Sequence, residues 1–140
     1  MKKNVSIMAI AGLVATLIAC NNGSSVSTYQ YLQVSPSANP AIYKANLGES
    51  ATMIFTNTIV SNAGPVSAKY NITATVPNSS FTVLTESGNN GCMQVAANQA
   101  CNITIIFTPT AESDYSLTNS LQFTVGALES SVNVITAPNS

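Results

Sequence analysis

The sequence contains no histidine and no tryptophan, and only 6% of its 140 residues are charged, against about 25% in an average soluble domain. Without histidine there is no Ser-His-Asp triad and no Cys-His pair. A Ser-Lys arrangement would have to draw on Lys44 or Lys69, and neither sits in a nucleophile motif. The same two lysines are too few for a basic patch, so nucleic acid is not an expected partner. No Gly-rich phosphate loop is present. Of the acids, Glu49, Glu86, Glu112, Asp114 and Glu129, only Glu112 and Asp114 are close in sequence. Two carboxylates alone fall short of the oxygen set of a calcium loop, and they read as solubilising acids of a connection. The chain is therefore expected to be no enzyme, with no cofactor and no metal.

What is abundant is Thr, Ser, Asn and short apolar alternation, a mixture that suits strands and turns. The stretch Cys101–Thr108 is the most regular. Cys101, Ile103, Ile105 and Phe107 fall on one side, and Asn102, Thr104 and Thr108 on the other, the period of a half-buried strand. Ile106 breaks the polar side. Similar alternation marks Tyr29–Ser35, Glu49–Thr58, Ala68–Val76, Ser80–Thr85, Leu121–Val125 and Val132–Val134. Pro36, Gly64-Pro65, Pro77-Asn78 and Gly126 punctuate them. Ser37–Gly48 reads as a loop, with Ile42 and Tyr43 covering an edge of the core. Seven or eight short strands with frequent turns predict an all-β sandwich. One hundred and forty residues suffice for a single domain with a real core.

The N-terminus has a different character. Met1-Lys2-Lys3 is followed by an apolar run from Val5 to Ala19, too short for a membrane-spanning helix and typical of a secretory leader. The run ends in Leu17-Ile18-Ala19-Cys20, which resembles the lipobox of bacterial lipoproteins. The resemblance implies a leader at 1–19, cleavage before Cys20, and a lipid anchor on that cysteine. Residues 20–28 then form the anchored cysteine with a polar tether, and 29–137 the sandwich. Asn21 in place of Asp implies the outer membrane, with the domain facing the periplasm. Loss of Lys2 and Lys3 leaves two basic side chains against five acidic ones, a net charge of −3. With Cys20 taken by lipid, Cys92 and Cys101 remain as one pair in an oxidising compartment. The expectation is a disulfide. Two free thiols or half a zinc site are the alternatives, and the latter lacks further ligands.

The order Thr56-Asn57-Thr58, Phe81, Cys92, Cys101-Asn102-Ile103-Thr104-Ile105-Ile106-Phe107-Thr108-Pro109-Thr110 and Tyr115 resembles the immunoglobulin-like domains of the abnormal-spindle/hydin (ASH) type. The resemblance covers about residues 29 to 126 and implies an immunoglobulin-like β-sandwich, with Tyr115 tucked toward the core as in a tyrosine corner. Two positions depart from the family. Ala97-Asn98-Gln99 stands where a Gly turn precedes the second cysteine, and Ser113-Asp114 stands where a Gly precedes the tyrosine. Altered turns on an intact fold are expected. The family implies an architecture rather than an activity.

By elimination, the chain reads as an anchored structural or protein-interaction module of an envelope assembly, such as a secretion-system core. The alternative is a surface-exposed adhesin-like or ligand-binding module. Tyr29, Tyr31 and Tyr43 are the candidate partner-binding residues, since tyrosine is favoured at interfaces. Capping one end of the sandwich is the competing role for the three. Asn71-Ile72-Thr73, Asn78-Ser79-Ser80 and Asn102-Ile103-Thr104 match the glycosylation acceptor pattern, read here as accidents of Thr-rich alternation.

Overall fold

A computed structural model describes residues 14–19, 25–36, 40–63, 67–84 and 91–140. Cys20 lies outside the described residues. The described residues form ten strands in order: β1 (Val14–Ala19), β2 (Ser25–Ser35), β3 (Ala41–Lys44), β4 (Ala51–Ser61), β5 (Lys69–Thr75), β6 (Phe81–Leu84), β7 (Gly91–Ala96), β8 (Ala100–Phe107), β9 (Ser116–Val125) and β10 (Leu128–Ala137). A 3-10 turn, Glu112–Asp114, lies between β8 and β9. The strands pair into two five-stranded sheets, β1-β2-β4-β8-β6 and β3-β10-β9-β5-β7.

The topology follows the immunoglobulin plan. Four strands in the order β2-β4-β8-β6 face three in the order β10-β9-β5, matching the ABED and GFC sheets of that fold strand for strand. The three strands beyond that plan are also the three that local pattern did not predict. β1 falls within the expected leader. β3 falls in the expected loop, where it pairs parallel to β10. β7 leads into the cysteine turn and pairs with β5. In addition, β2 begins at Ser25 rather than Tyr29, so strand replaces the second half of the expected tether.

The alternating residues meet between the sheets. Phe55, Ile59, Ile103, Ile105 and Phe107 from one sheet and Ile72, Leu121, Phe123 and Val134 from the other are at most 1% exposed. Phe55 and Phe123 pack across the interface with ring centroids 5.3 Å apart. At the other end, Phe107 touches Phe81 at 5.0 Å and Tyr43 at 6.2 Å. Tyr115 joins that cluster, half-buried, 6.3 Å from Phe107. Its hydroxyl donates to the Ala45 carbonyl at 3.0 Å. The tyrosine thus ties the start of β9 to the end of β3, far upstream, rather than to its own corner.

Cys92 and Cys101 form a disulfide. It does not staple two neighbours of one sheet. Cys92 lies on β7 and Cys101 on β8, which belong to opposite sheets, so the bond clamps the sandwich across its layers. Replacing both cysteines with serine is expected to lower stability by about 2–3 kcal/mol, the loop-entropy value for so short a ring. A chemical-denaturation curve unchanged in midpoint would contradict this. Asn98 makes the intervening turn. It takes φ 62°, a conformation asparagine tolerates better than most residues. Its side chain bonds both main-chain groups of Ser61, at 2.9 Å each. The turn that lacks the family glycine is thereby kept and docked onto β4. Gly91 cannot be replaced in the same way, because any Cβ there would collide with the Ile72 carbonyl of the neighbouring strand.

Asn57 is the polar exception in the core, fully buried on β4 opposite Cys101. Its amide nitrogen donates to the Phe55 carbonyl at 3.0 Å, and its Oδ1 finds no donor among the described residues.

Candidate interaction surface

The outward positions of β2, β4, β8 and β6 form one continuous face. Antiparallel register aligns Ile54 with Thr104 and Thr104 with Leu84. One step along, Thr52, Ile106 and Thr82 line up in the same way. Toward the other end, Thr56 pairs with Asn102 and their side chains share a 2.8 Å hydrogen bond. Tyr31 stands opposite Val60. Among the described residues, no Lys, Asp or Glu lies on this face. Ile54 and Leu84 are each about half exposed, at 54% and 48%. Ile106, which interrupts the polar side of its strand, sits half-buried between two threonines and contributes to the same surface.

The charges lie elsewhere. Lys44, Lys69 and Glu129 are on strands of the opposite sheet, all exposed, and Glu49, Glu112 and Asp114 are in connections. Two sheets that both draw on Thr-containing strands therefore present different outer faces, one uncharged and one charged.

The three candidate tyrosines divide. Tyr29 and Tyr31 project from β2 with ring centroids 6.1 Å apart and planes inclined by 26°, and both remain partly exposed. Tyr43 does not join them. It is 1% exposed, its ring edge-on to Phe81, and its hydroxyl donates to the Ile105 carbonyl at 3.4 Å. Burial pushes its phenol well above the ordinary value. The reason is the parallel pairing of β3 with β10, which turns Ile42 outward and Tyr43 inward. Ile54, Thr104 and Leu84 were absent from the expected surface. The signal available was an isoleucine at the polar phase of β4, as at Ile106 of β8.

The acidic pair also separates. Asp114 Oδ2 accepts from the Thr110 amide at 2.7 Å, the Ala111 amide at 3.0 Å and the Thr110 hydroxyl at 3.1 Å. It closes the turn ahead of β9. The backbone donors Thr110 and Ala111, in that order, hold its carboxyl below the ordinary 3.8. Glu112 takes no part in that set of bonds. A carboxyl whose folded value is depressed stabilises the fold above its unfolded value, and that contribution disappears as pH falls through the folded one. Asp114→Asn is accordingly expected to weaken the fold at pH 7 and to make melting less sensitive to pH below about 4. Parallel acid limbs for the two proteins would contradict this role.

Among the described residues, no group of three or more Cys, Asp or Glu is placed to hold a metal. Among the same residues, no helix is long and apolar enough to cross a membrane. No protein-family model matches the sequence, and no curated protein does. Solved structures similar to the chain include surface-layer protein SbsC, domains 1–6, at 12% identity and TM-score 0.49, over 96% of this chain and 21% of that one. They also include the S-layer protein rSbsC(31–844), at 13% and 0.47, over 91% and 20%, and SbsC domains 4 and 5, at 15% and 0.45, over 89% and 66%. The chain spans about a fifth of the first two. Likeness at this level assigns it neither a partner nor an activity.

Proposed function

We propose that this chain is a lipid-anchored lipoprotein whose sandwich serves as a protein-interaction module of a bacterial envelope assembly, held at the outer membrane and facing the periplasm. The observation that carries the interaction role is the charge-free outer face of β2, β4, β8 and β6. Both signs of charge interspersed over a surface favour solubility and discourage association. Interfaces, by contrast, are depleted of charge at their centre and favour tyrosine. Here the uncharged face carries the stacked pair Tyr29–Tyr31 at one end and the row Ile54–Thr104–Leu84 near the other. Anchoring through Cys20 rests on the Leu17-Ile18-Ala19-Cys20 box. Each acyl CH₂ buried contributes about 0.8 kcal/mol, and more than one chain gives stable attachment.

A surface-exposed ligand-binding module is the second reading, favoured by the partly exposed Tyr29–Tyr31 pair. The two readings separate experimentally. Detergent extraction of native membranes, then affinity purification through a C-terminal tag and mass spectrometry, is expected to recover a defined set of envelope proteins that survives high salt. Recovery of the lipoprotein alone, with protease sensitivity on intact cells, would contradict the assembly role and support the second reading.

A further inference from the structure

The edges of the two sheets are not alike. A long unpaired edge strand is a template for another chain, and proteins blunt such edges with short strands, bulges, prolines or charges. The edge strands β6 and β3 are only four residues each. β7 is irregular, with Gln94 at φ 59° and a register shift in its pairing with β5. β2 has none of these devices. It runs eleven residues, Ser25–Ser35, without a charge or a proline. In the full chain its outer side is covered by β1, antiparallel, from Val14 opposite Gln30 to Ala19 opposite Ser25.

The covering strand belongs to the segment expected to leave. On the reading proposed above, cleavage before Cys20 removes Val14–Ala19 and uncovers β2. The exposed main chain can be identified. The Tyr29 amide donates to Asn62 Oδ1, its carbonyl accepts from the Asn62 amide, and the Ser27 carbonyl accepts from Asn62 Nδ2. Ser27 and Tyr29 therefore turn their main-chain groups toward β4. By the alternation of an antiparallel ladder, Val26, Thr28 and Gln30 turn theirs toward the edge that β1 vacates.

We propose that β2 of the processed protein is a strand-acceptor site, and that its occupant is an extended, uncharged, β-branched or aliphatic segment of a partner protein, added antiparallel along Val26–Gln30. Main-chain hydrogen bonds then supply binding, as in other strand additions. The chemistry of the occupant follows from β1, which sets Val14 opposite Gln30 and Thr16 opposite Thr28. A second copy is the competing occupant, but it would offer β2 its own polar positions Thr28 and Gln30 in place of the mostly apolar sequence Val14–Ala19 that the edge accepts in this chain. This inference rests on the processing reading and goes beyond the uncharged face, since it concerns the edge.

The test uses the lipoprotein purified from membranes in detergent, with intact mass confirming loss of residues 1–19. The probe is a synthetic peptide of the Val14–Ala19 sequence flanked by lysines for solubility. A peptide with proline at alternate positions serves as control. Saturable binding of the first peptide alone is expected, with slowed hydrogen exchange at the Val26, Thr28 and Gln30 amides. Thr28→Pro removes an edge donor at a position where an edge strand tolerates proline, and is expected to weaken binding about tenfold or more while the protein still melts cooperatively. Binding without protection of those amides, or equal binding to Thr28→Pro, overturns the acceptor site. A dimer mass that resists the peptide makes a second copy the occupant and overturns the assignment of a partner. An intact mass that retains Val14–Ala19 overturns the processing reading and the open edge together, which distinguishes it from the other failures.

Discussion

Cys20→Ala is expected to abolish incorporation of labelled palmitate and to leave a heavier, uncleaved precursor in place of the processed form. The thiol is the acyl acceptor that the lipobox resemblance implies, and neither Cys92 nor Cys101 can substitute, because the two are joined to each other. Cleavage is expected to fail with acylation, so the leader should stay attached. The consequence reaches the fold, since β1 would then remain paired along β2 and close the edge. Label retained at the wild-type level, or an unchanged processed mass, would contradict the anchor assignment.

Phe107→Ala is expected to have the largest effect on stability of any truncation at the Tyr43 end of the core. Its ring is fully buried and packs against Phe81, Tyr43 and Tyr115. Deleting a buried phenylalanine costs about 3–5 kcal/mol, transfer and cavity together, out of a total near 5–15 kcal/mol for a domain. The four aromatic side chains come from β3, β6, β8 and the residue just before β9, so their neighbours cannot close the gap without shifting both sheets. Thr82→Ala, on the outer face next to Ile106, is the comparison, and is expected to cost about 1 kcal/mol or less. Equal losses for the two variants in urea titration would contradict the core assignment.

The central strands were legible because their alternation is a local property. Ala51, Met53 and Phe55 on β4, and Ile103, Ile105 and Phe107 on β8, face inward as their period requires. β3 was not legible. Four residues between Pro40 and Gly48 carry too little pattern, and only its parallel contact with β10, some ninety residues later, decides that Tyr43 is core and Ile42 is surface. β7 hides for another reason. Gln94 at positive φ interrupts the alternation, so its burial pattern has no simple period. The candidate surface lies between these cases. The polar phase of each strand is visible in the sequence, but which strands are neighbours is not. Ile54, Thr104 and Leu84 become a row only once β4, β8 and β6 are known to be adjacent. The charge asymmetry of the two outer faces depends on the same information, since nothing in the local sequence assigns Lys69 or Glu129 to the opposite sheet.

The central claim is that the uncharged face meets the partner, and one measurement addresses it most directly. Complexes are purified from native membranes carrying wild-type protein, Thr104→Glu or Gln122→Glu, with folding of each variant checked by its melting curve. Thr104 lies between Ile54 and Leu84 on the uncharged face, and Gln122 is an exposed position on the opposite sheet. Burying an unpaired carboxylate in an interface is strongly unfavourable, whereas a charge on the other face adds only to its existing polarity. The account predicts that the salt-resistant envelope proteins are lost with Thr104→Glu and retained with Gln122→Glu. Retention with Thr104→Glu, at wild-type stoichiometry, would contradict it.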